Sequence, residues 1–346
     1  MKNIIFMPFI NDDTAIAWRE DLENDFLAGE GKALTDEIKS IRAAKKGYES
    51  SGRLKDYYAD LHSKKSPRQE MWLRKLIHET AAIFEKELKK LSGDGADPAK
   101  TTVVCALPEF YWCDINDNNK HKSDVEGYFK PLYLQNALKL LTEKNELMDL
   151  TDKYKNMIFF AGTAMWKRIN TEDHNDEEIF NSLIVYADGK YKESISKHNV
   201  SRIDGFYGYD RLTDDFIKVS RTKKIGEATL EVPPVTEFNG MRFTYDICLD
   251  FICGKAGTKI APLSTELCNK AGIGGIDVNI LIAAGMPIDD TPLPNGTIPP
   301  GGLARQKIKS DILLRCDGLA PPHGQVFIKQ VTTPGRNVAM IEIHPN

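Results

Sequence analysis

Three residues with side chains fit for nucleophilic and acid–base chemistry each stand at the C-terminal end of an apolar run. Glu109 lies in Leu107-Pro108-Glu109-Phe110-Tyr111, Lys197 in Ser194-Ile195-Ser196-Lys197-His198, and Cys248 in Phe243-Thr244-Tyr245-Asp246-Ile247-Cys248. In α/β folds, sites gather at that end of the strands. A thiol with an ordinary pKa of about 8.5 is mostly protonated at neutral pH. A carboxylate beside it can take the proton as sulfur attacks and return it to a leaving group. An ammonium suits a developing oxyanion, where one donor is worth about 2.7–4 kcal/mol. Each residue alone also has a blander reading. A cysteine on a strand is usually a small buried hydrophobe, a glutamate after proline a turn acid, and a lysine a surface charge.

Competing motifs fail on their own chemistry. His78-Glu79-Thr80-Ala81-Ala82 starts like a zinc-protease helix but has alanine where the second imidazole is needed. Asp114-Ile115-Asn116-Asp117-Asn118 starts like a calcium loop, yet Asn119 replaces the required glycine and Val125 the bidentate acid. Gly272-Ile273-Gly274-Gly275 lacks the third glycine of a dinucleotide fingerprint. No phosphate-binding loop and no G-x-S-x-G elbow is present. The seven histidines are scattered. Metal, nucleotide and serine-nucleophile chemistry are therefore disfavoured.

The elements that must position the three residues alternate along the chain. Ile4 to Ile10 reads as a buried first strand. It is too short for a signal peptide, holds Pro8, and runs into Asp12-Asp13. Residues 11–66 are polar and poor in large apolar side chains. They are expected to form a charged surface insertion, helical in part over Leu34–Ala44. Ser66-Pro67-Arg68-Gln69 has the make-up of an N-cap, an N1 proline and a capping-box glutamine, so a helix is expected to start there. Leu73, Leu76, Ile77, Thr80, Phe84, Leu88 and Leu91 then fall on one stripe that needs a cover.

Strands are expected at Thr101–Leu107, Met157–Ala161, Ile179–Ala187, Tyr191–His198, Leu230–Val232, Met241–Cys248 and Val278–Ala284, and at Ile312–Arg315, Gln325–Gln330 and Val338–Ile343. Asp188-Gly189 is the expected hairpin turn. Helices are expected over Pro131–Leu147 and near Leu303–Ile312, with a Pro/Gly-rich loop over Met286–Gly302. No composition break marks a linker. The pattern gives one α/β domain with a mixed sheet or a pair of sheets.

Composition narrows the function classes. With 346 residues and 41% apolar side chains the chain can bury a sizeable core. Lys and Arg number 46 against 50 Asp and Glu, for a net charge of -4. A dedicated nucleic-acid binder needs a basic face, so none is expected. No run approaches the roughly 18 apolar residues of a membrane span. Six cysteines without a C-x-x-C pair read as free thiols in a reducing compartment, hence a cytoplasmic location.

Taken together, the three residues and their settings resemble the nitrilase, or carbon–nitrogen hydrolase, superfamily. Leu107-Pro108-Glu109-Phe110 is similar to that family's apolar-Pro-Glu-apolar motif after the second strand. Asn181, Asp188-Gly189 and Lys197 follow its strand–turn–strand pattern before the lysine, and Ile247-Cys248-Leu249-Asp250, with Gly240 at the strand start, follows its cysteine motif. The order Glu, Lys, Cys also agrees. The likeness spans most of residues 1–10 and 66–346. The chain departs from the family after the cysteine, where Leu249-Asp250-Phe251-Ile252-Cys253-Gly254 lacks the usual Pro-Glu, and after Lys197, where no Glu occurs before Glu227.

The resemblance implies a four-layer α-β-β-α sandwich of two mixed β-sheets and a homodimer paired through helices. It implies a hydrolase of non-peptide carbon–nitrogen bonds, amidase ahead of nitrilase, acting on a small-molecule amide or nitrile without metal or cofactor. Cys248 would be the nucleophile that forms a thioester, Glu109 the general base and acid, and Lys197 the oxyanion partner, with the backbone N–H of Leu249 as a second donor. From position alone, Phe110, Tyr111 and Trp112 after the glutamate could line a substrate pocket or equally belong to the core; Tyr111, Trp112 and Trp166 are expected as its walls. Asp250 is expected to be structural. Two alternatives stay open: an inactive binding or scaffold protein on the same fold, and an acyl transferase that passes the acyl group to an amine.

Overall fold

The computed structural model describes residues 2–9, 15–93, 101–115, 132–133, 135–169, 177–200, 217–218, 222–225, 228–253, 262–285, 310, 312–318, 324–328, 331–333 and 339–343. The chain opens with β1 (Lys2–Pro8) and four helices, α1 (Ala15–Ala28), α2 (Lys32–Ala43), α3 (Lys45–Ser50) and α4 (Leu54–Gly93). Next come β2 (Thr101–Leu107), β3 (Leu132–Tyr133), α5 (Gln135–Thr142) and α6 (Glu146–Lys153). A meander of β4 (Met157–Ile169), β5 (Glu177–Ala187) and β6 (Lys190–Ser196) follows. Two small ribbons pair β7 (Asn199–Val200) with β8 (Ile217–Lys218), and β9 (Thr222–Ile225) with β10 (Ala228–Glu231). The C-terminal half holds β11 (Val235–Phe238), β12 (Met241–Ile247), α7 (Leu249–Cys253), α8 (Leu263–Lys270), β13 (Val278–Ala283), β14 (Ile312–Asp317), β15 (Gly324–Ile328), β16 (Val331–Thr333) and β17 (Ala339–Ile343).

Two mixed sheets result. The first has the order β17-β1-β2-β4-β5-β6 with β3 beside β4. Its β1, β2 and β4 run parallel, and its flanking pairs are antiparallel. The second has the order β11-β12-β13-β14-β15-β16 around a parallel β12-β13-β14 centre. Strand alternation then sorts the side chains. Phe6, Val104, Ala106, Phe160 and Val185 of the first sheet face Phe243, Tyr245, Ile247, Ile280 and Leu314 of the second. The opposite face of the first sheet, with Met7, Cys105 and Phe159, meets Leu73, Leu76, Ile77, Phe84 and Leu88 of α4. On the far face of the second sheet, Asp246 of β12 accepts the backbone N–H of Ser264 in α8 at 2.9 Å. The fold is therefore an α-β-β-α sandwich. Full burial of each large apolar side chain in it is worth about 1.5–3 kcal/mol.

Three expectations about elements need correction. The helix expected to start at Ser66 starts at Leu54 and runs through Pro67. Tyr57 before the proline and Arg68, Gln69 and Trp72 after it are buried, and this packing outweighs the roughly 3 kcal/mol that an interior proline costs. The charged stretch is more helical than expected. From Ala15 to Ser66 it is mostly helical, with Phe26 and Ile38 fully buried and Phe26 against Trp72 at 5.6 Å. Many of its charges lie on outer helix faces in pairs such as Lys32–Asp36 and Lys45–Glu49, while Arg19 and Glu23 of α1 are buried. The helix expected over Pro131–Leu147 is two helices where it is described. Asn145, read as interior, caps α6 by accepting from the N–H groups of Leu147 and Met148.

Elsewhere the expected strands are found, with β4 longer than foreseen. Asp188 and Gly189 have φ of 53° and 69°, as a two-residue hairpin turn requires. The loop 286–302 and nearly all of the helix expected near Leu303 lie outside the described residues. Among the described residues, no helix is long and apolar enough to cross a membrane.

Candidate active site

Glu109 is placed by a turn that β4 grips. The N–H of Thr163 donates to Pro108 O at 3.3 Å, and its hydroxyl accepts the N–H of Phe110 at 2.8 Å. Its carbonyl accepts the N–H of Trp112 at 3.1 Å. This close approach needs Gly162. The glycine has φ of 64° at a register shift in β4, and a Cβ there would collide with the Pro108 carbonyl oxygen. Glu109 itself is fully buried, and its N–H reaches the other sheet, donating to Ala283 O at 3.3 Å.

Lys197 arrives from the end of β6. Its N–H donates to Asn181 O at 2.7 Å. Its Nζ donates to Glu109 Oε1 at 2.7 Å, with the two side chains 2% and 0% exposed. The amide of Asn181 donates to the same Glu109 oxygen at 2.8 Å. Two donors on one oxygen fix the carboxylate in orientation. The ammonium also lies 5.6 Å from the centre of the Phe110 ring, within range of a cation–π attraction. The next residue, His198, donates its N–H to both oxygens of Asp250 at 3.1 and 3.0 Å. Asp250 thus ties the lysine segment to α7, immediately beyond Cys248.

Cys248 sits where β12 ends and α7 begins. Its φ of 45° is left-handed, a strained setting for a residue with a Cβ. A strand-to-helix turn of this kind lifts a nucleophile out of the sheet. Its N–H donates to Ile282 O at 2.8 Å, and its carbonyl accepts from Phe251 at 2.9 Å. Cys248 and Glu109 thus hang from consecutive carbonyls of β13. Cys248 is half-buried, whereas Cys105, Cys113, Cys268 and Cys316 are buried. Burial pushes the Cys113 thiol up to about 11, even with Arg19 Nη1 at 2.7 Å from its sulfur, and the Cys316 thiol up to about 12. It raises Cys105 as well. The N–H of Leu249 belongs to the first turn of α7, where no intrahelical acceptor exists.

The three aromatic residues expected to line the pocket are elsewhere. Tyr111 is fully buried, with its hydroxyl 2.7 Å from Thr80 Oγ1 of α4. Trp112 is fully buried and donates to Ala161 O at 2.5 Å. Trp166 stacks on Phe180 at 4.3 Å and donates to Ser182 Oγ at 3.0 Å. All three pack into the helix-covered core of the first sheet, the face opposite Asn181 and the Glu109 carboxylate. The aromatic ring beside the lysine is Phe110, because its φ of 61° breaks the alternation that would bring Tyr111 there. Thr163 and Asn181 are further contributors to the site. Asn181 stands in the strand that precedes the hairpin, so alternation from Lys197 was a usable signal. Only the β2–β4 register reveals Thr163. Among the described residues, no group of three or more His, Cys, Asp or Glu side chains could hold a metal ion.

No family model matches the sequence, and no curated protein matches it. Solved structures do match. The chain is similar to a carbon–nitrogen hydrolase from Helicobacter pylori G27, with 16% identity and a TM-score of 0.43, over 78% of this chain and 84% of that one. It is also similar to an amidase from Nesterenkonia sp., with 12% identity and a TM-score of 0.40, over 77% and 84%. A third likeness is to the glutamine-dependent NAD+ synthetase from Acinetobacter baumannii, with 12% identity and a TM-score of 0.38, over 78% of this chain and 45% of that one.

Proposed function

We propose that the chain is a thiol hydrolase of non-peptide carbon–nitrogen bonds, amidase ahead of nitrilase, working through a thioester on Cys248. The observation that carries this reading is the buried contact of Lys197 with Glu109 at 2.7 Å, beside a half-buried cysteine that shares its β13 anchor with Glu109. A core acid–base pair next to a strained, half-buried cysteine serves chemistry better than it serves stability, since a buried ion pair returns little net stability. In this reading Glu109 takes the thiol proton as Cys248 sulfur attacks the amide carbon. The oxyanion is met by the Lys197 ammonium and the Leu249 N–H. Glu109 then gives its proton to the departing nitrogen, and ammonia or an amine leaves. Water, deprotonated by Glu109, attacks the thioester, the carbon–sulfur bond breaks to release the acid, and Glu109 returns the proton to the Cys248 sulfur.

The test is a screen of small aliphatic and aromatic amides and nitriles for ammonia release, followed by intact-mass measurement of the acylated protein. Cys248→Ala should abolish release and the mass adduct together. Turnover that survives Cys248→Ala sinks the thioester mechanism. Adduct formation whose breakdown requires an added amine instead of water favours acyl transfer.

A further inference from the structure

Both halves of the proposed machinery are anchored on one short stretch of β13. Ile282 O accepts the N–H of Cys248 at 2.8 Å, and Ala283 O accepts the N–H of Glu109 at 3.3 Å and that of Gly318 at 3.0 Å. The chain then turns at Gly285, whose φ of 87° suits glycine alone. The Gly285 N–H donates to Asp317 Oδ1 at 2.8 Å, and the other oxygen of Asp317 accepts Arg315 Nη2 at 2.7 Å. Arg315 and Asp317 are 0% and 1% exposed. The β13–β14 pairing does not need their charges, because the ladder runs from Val278↔Ile312 to Ala283↔Asp317. Two apolar residues at these positions would serve stability as well or better. What they cannot do is accept the Gly285 N–H. Burial pulls the Arg315 guanidinium below its ordinary value, while Asp317 first and the nearby Cys316 and Cys248 oppose the shift.

We infer that Asp317, itself held by Arg315, is a positioning residue that fixes the end of β13 and so sets Cys248 and Glu109 against each other. The inference rests on the roles proposed above for those two residues. When Asp317 Oδ1 is lost, the Gly285 turn loosens, and the Ile282 and Ala283 carbonyls move with it. A shift of about 1 Å between reacting groups can cost on the order of 10²-fold in rate.

The test needs no substrate. It follows the rate at which iodoacetamide alkylates Cys248 in the folded protein at neutral pH, mapped by peptide mass. Arg315→Met with Asp317→Leu removes both charges and the acceptor. It should fold, and Cys248 alkylation should fall about tenfold, as one unit of thiol pKa would give. Arg315→Met with Asp317→Asn also removes both charges, including the Arg315 charge felt by Cys248, but keeps an oxygen for Gly285, and should react about tenfold faster than the leucine pair. A wild-type rate in the leucine pair overturns the inference, as does an equal loss in both pairs. If the leucine pair does not fold, Arg315→Gln with Asp317→Val replaces it. Failure of that variant as well assigns the pair to the fold and overturns the inference. Failure of the parent reading looks different: Glu109→Gln would then leave Cys248 at its wild-type rate.

Discussion

Lys197→Met should separate chemistry from stability at the core of the site. The pair it breaks lies in the buried regime, with side chains 2% and 0% exposed and 2.7 Å between Nζ and Oε1. At an effective dielectric of about 20 the gross attraction is about 6 kcal/mol. Most of it offsets the desolvation of the two ions. Breaking one partner of such a pair costs about 3–5 kcal/mol, because the remaining charge stays buried. The Asn181 amide still donates to Glu109 at 2.8 Å, which places the expected loss near the lower end, about 3 kcal/mol. Glu109→Gln added to Lys197→Met removes the stranded charge, and the double variant should return to within about 1 kcal/mol of wild type. Urea unfolding of the three proteins measures these values. Reactivity should not follow stability, and the double variant should be stable with an unreactive Cys248. A loss below about 1 kcal/mol in Lys197→Met would place the pair in the solvent-exposed regime and refute the reasoning. A double variant as unstable as the single would refute the coupling.

The cysteines should react in a defined order. At pH 7.5, thiols at about 11 and about 12 are ionised to roughly one part in 3,000 and one in 30,000, so Cys113 and Cys316 should stay unlabelled while half-buried Cys248 reacts. Labelling of either before Cys248 refutes the site geometry. The same two thiols make the fold sensitive to alkali. Their folded pKa values are raised above the ordinary thiol value of about 8.5, so their contribution is full below about pH 8.5 and is lost as pH rises towards about 12. The urea midpoint should fall between pH 8.5 and 10.5, and Cys316→Ala should flatten part of that fall. Gly162→Ala forces a Cβ into a left-handed residue against Pro108, at a cost of at least about 1–2 kcal/mol. It should also slow Cys248 labelling by moving Glu109, and unchanged stability would show that the turn does not depend on the close approach.

Strands were legible wherever apolar runs were bounded by turn residues, and the ends of three of them carried the site. Glu109 and Lys197 meet because β2 and β6 belong to one sheet and run in the same direction, which follows from order and hairpin signals. Legibility failed where tertiary packing overrides local chemistry. Pro67 looks like a helix start because the cost of an interior proline is local, whereas the burial of Trp72 and Arg68 that outweighs it is not. Residues 15–66 look like a solvated insertion because most of their helix faces are solvated. Phe26 and Ile38 are too few to show in a composition count, yet they seat that tier on α4.

The pocket aromatics failed for a sharper reason. Alternation from Glu109 sends every second side chain to the site only while the backbone stays extended. Phe110 at φ of 61° rotates the chain, so Tyr111 joins Trp112 in the helix-covered core and Phe110 stays beside Lys197. The same left-handed geometry recurs at Cys248. Non-glycine residues in that region cost energy, and no propensity scale anticipates them. Apart from the turn residues Asp188 and Asn239, the described non-glycine residues with positive φ are Phe110, next to Glu109, and Cys248 itself, the positions on which the proposed chemistry depends. A strand that continued past Pro108 or Ile247 would give a more regular sheet, but it would bury the thiol and turn the Phe110 ring away from the ammonium.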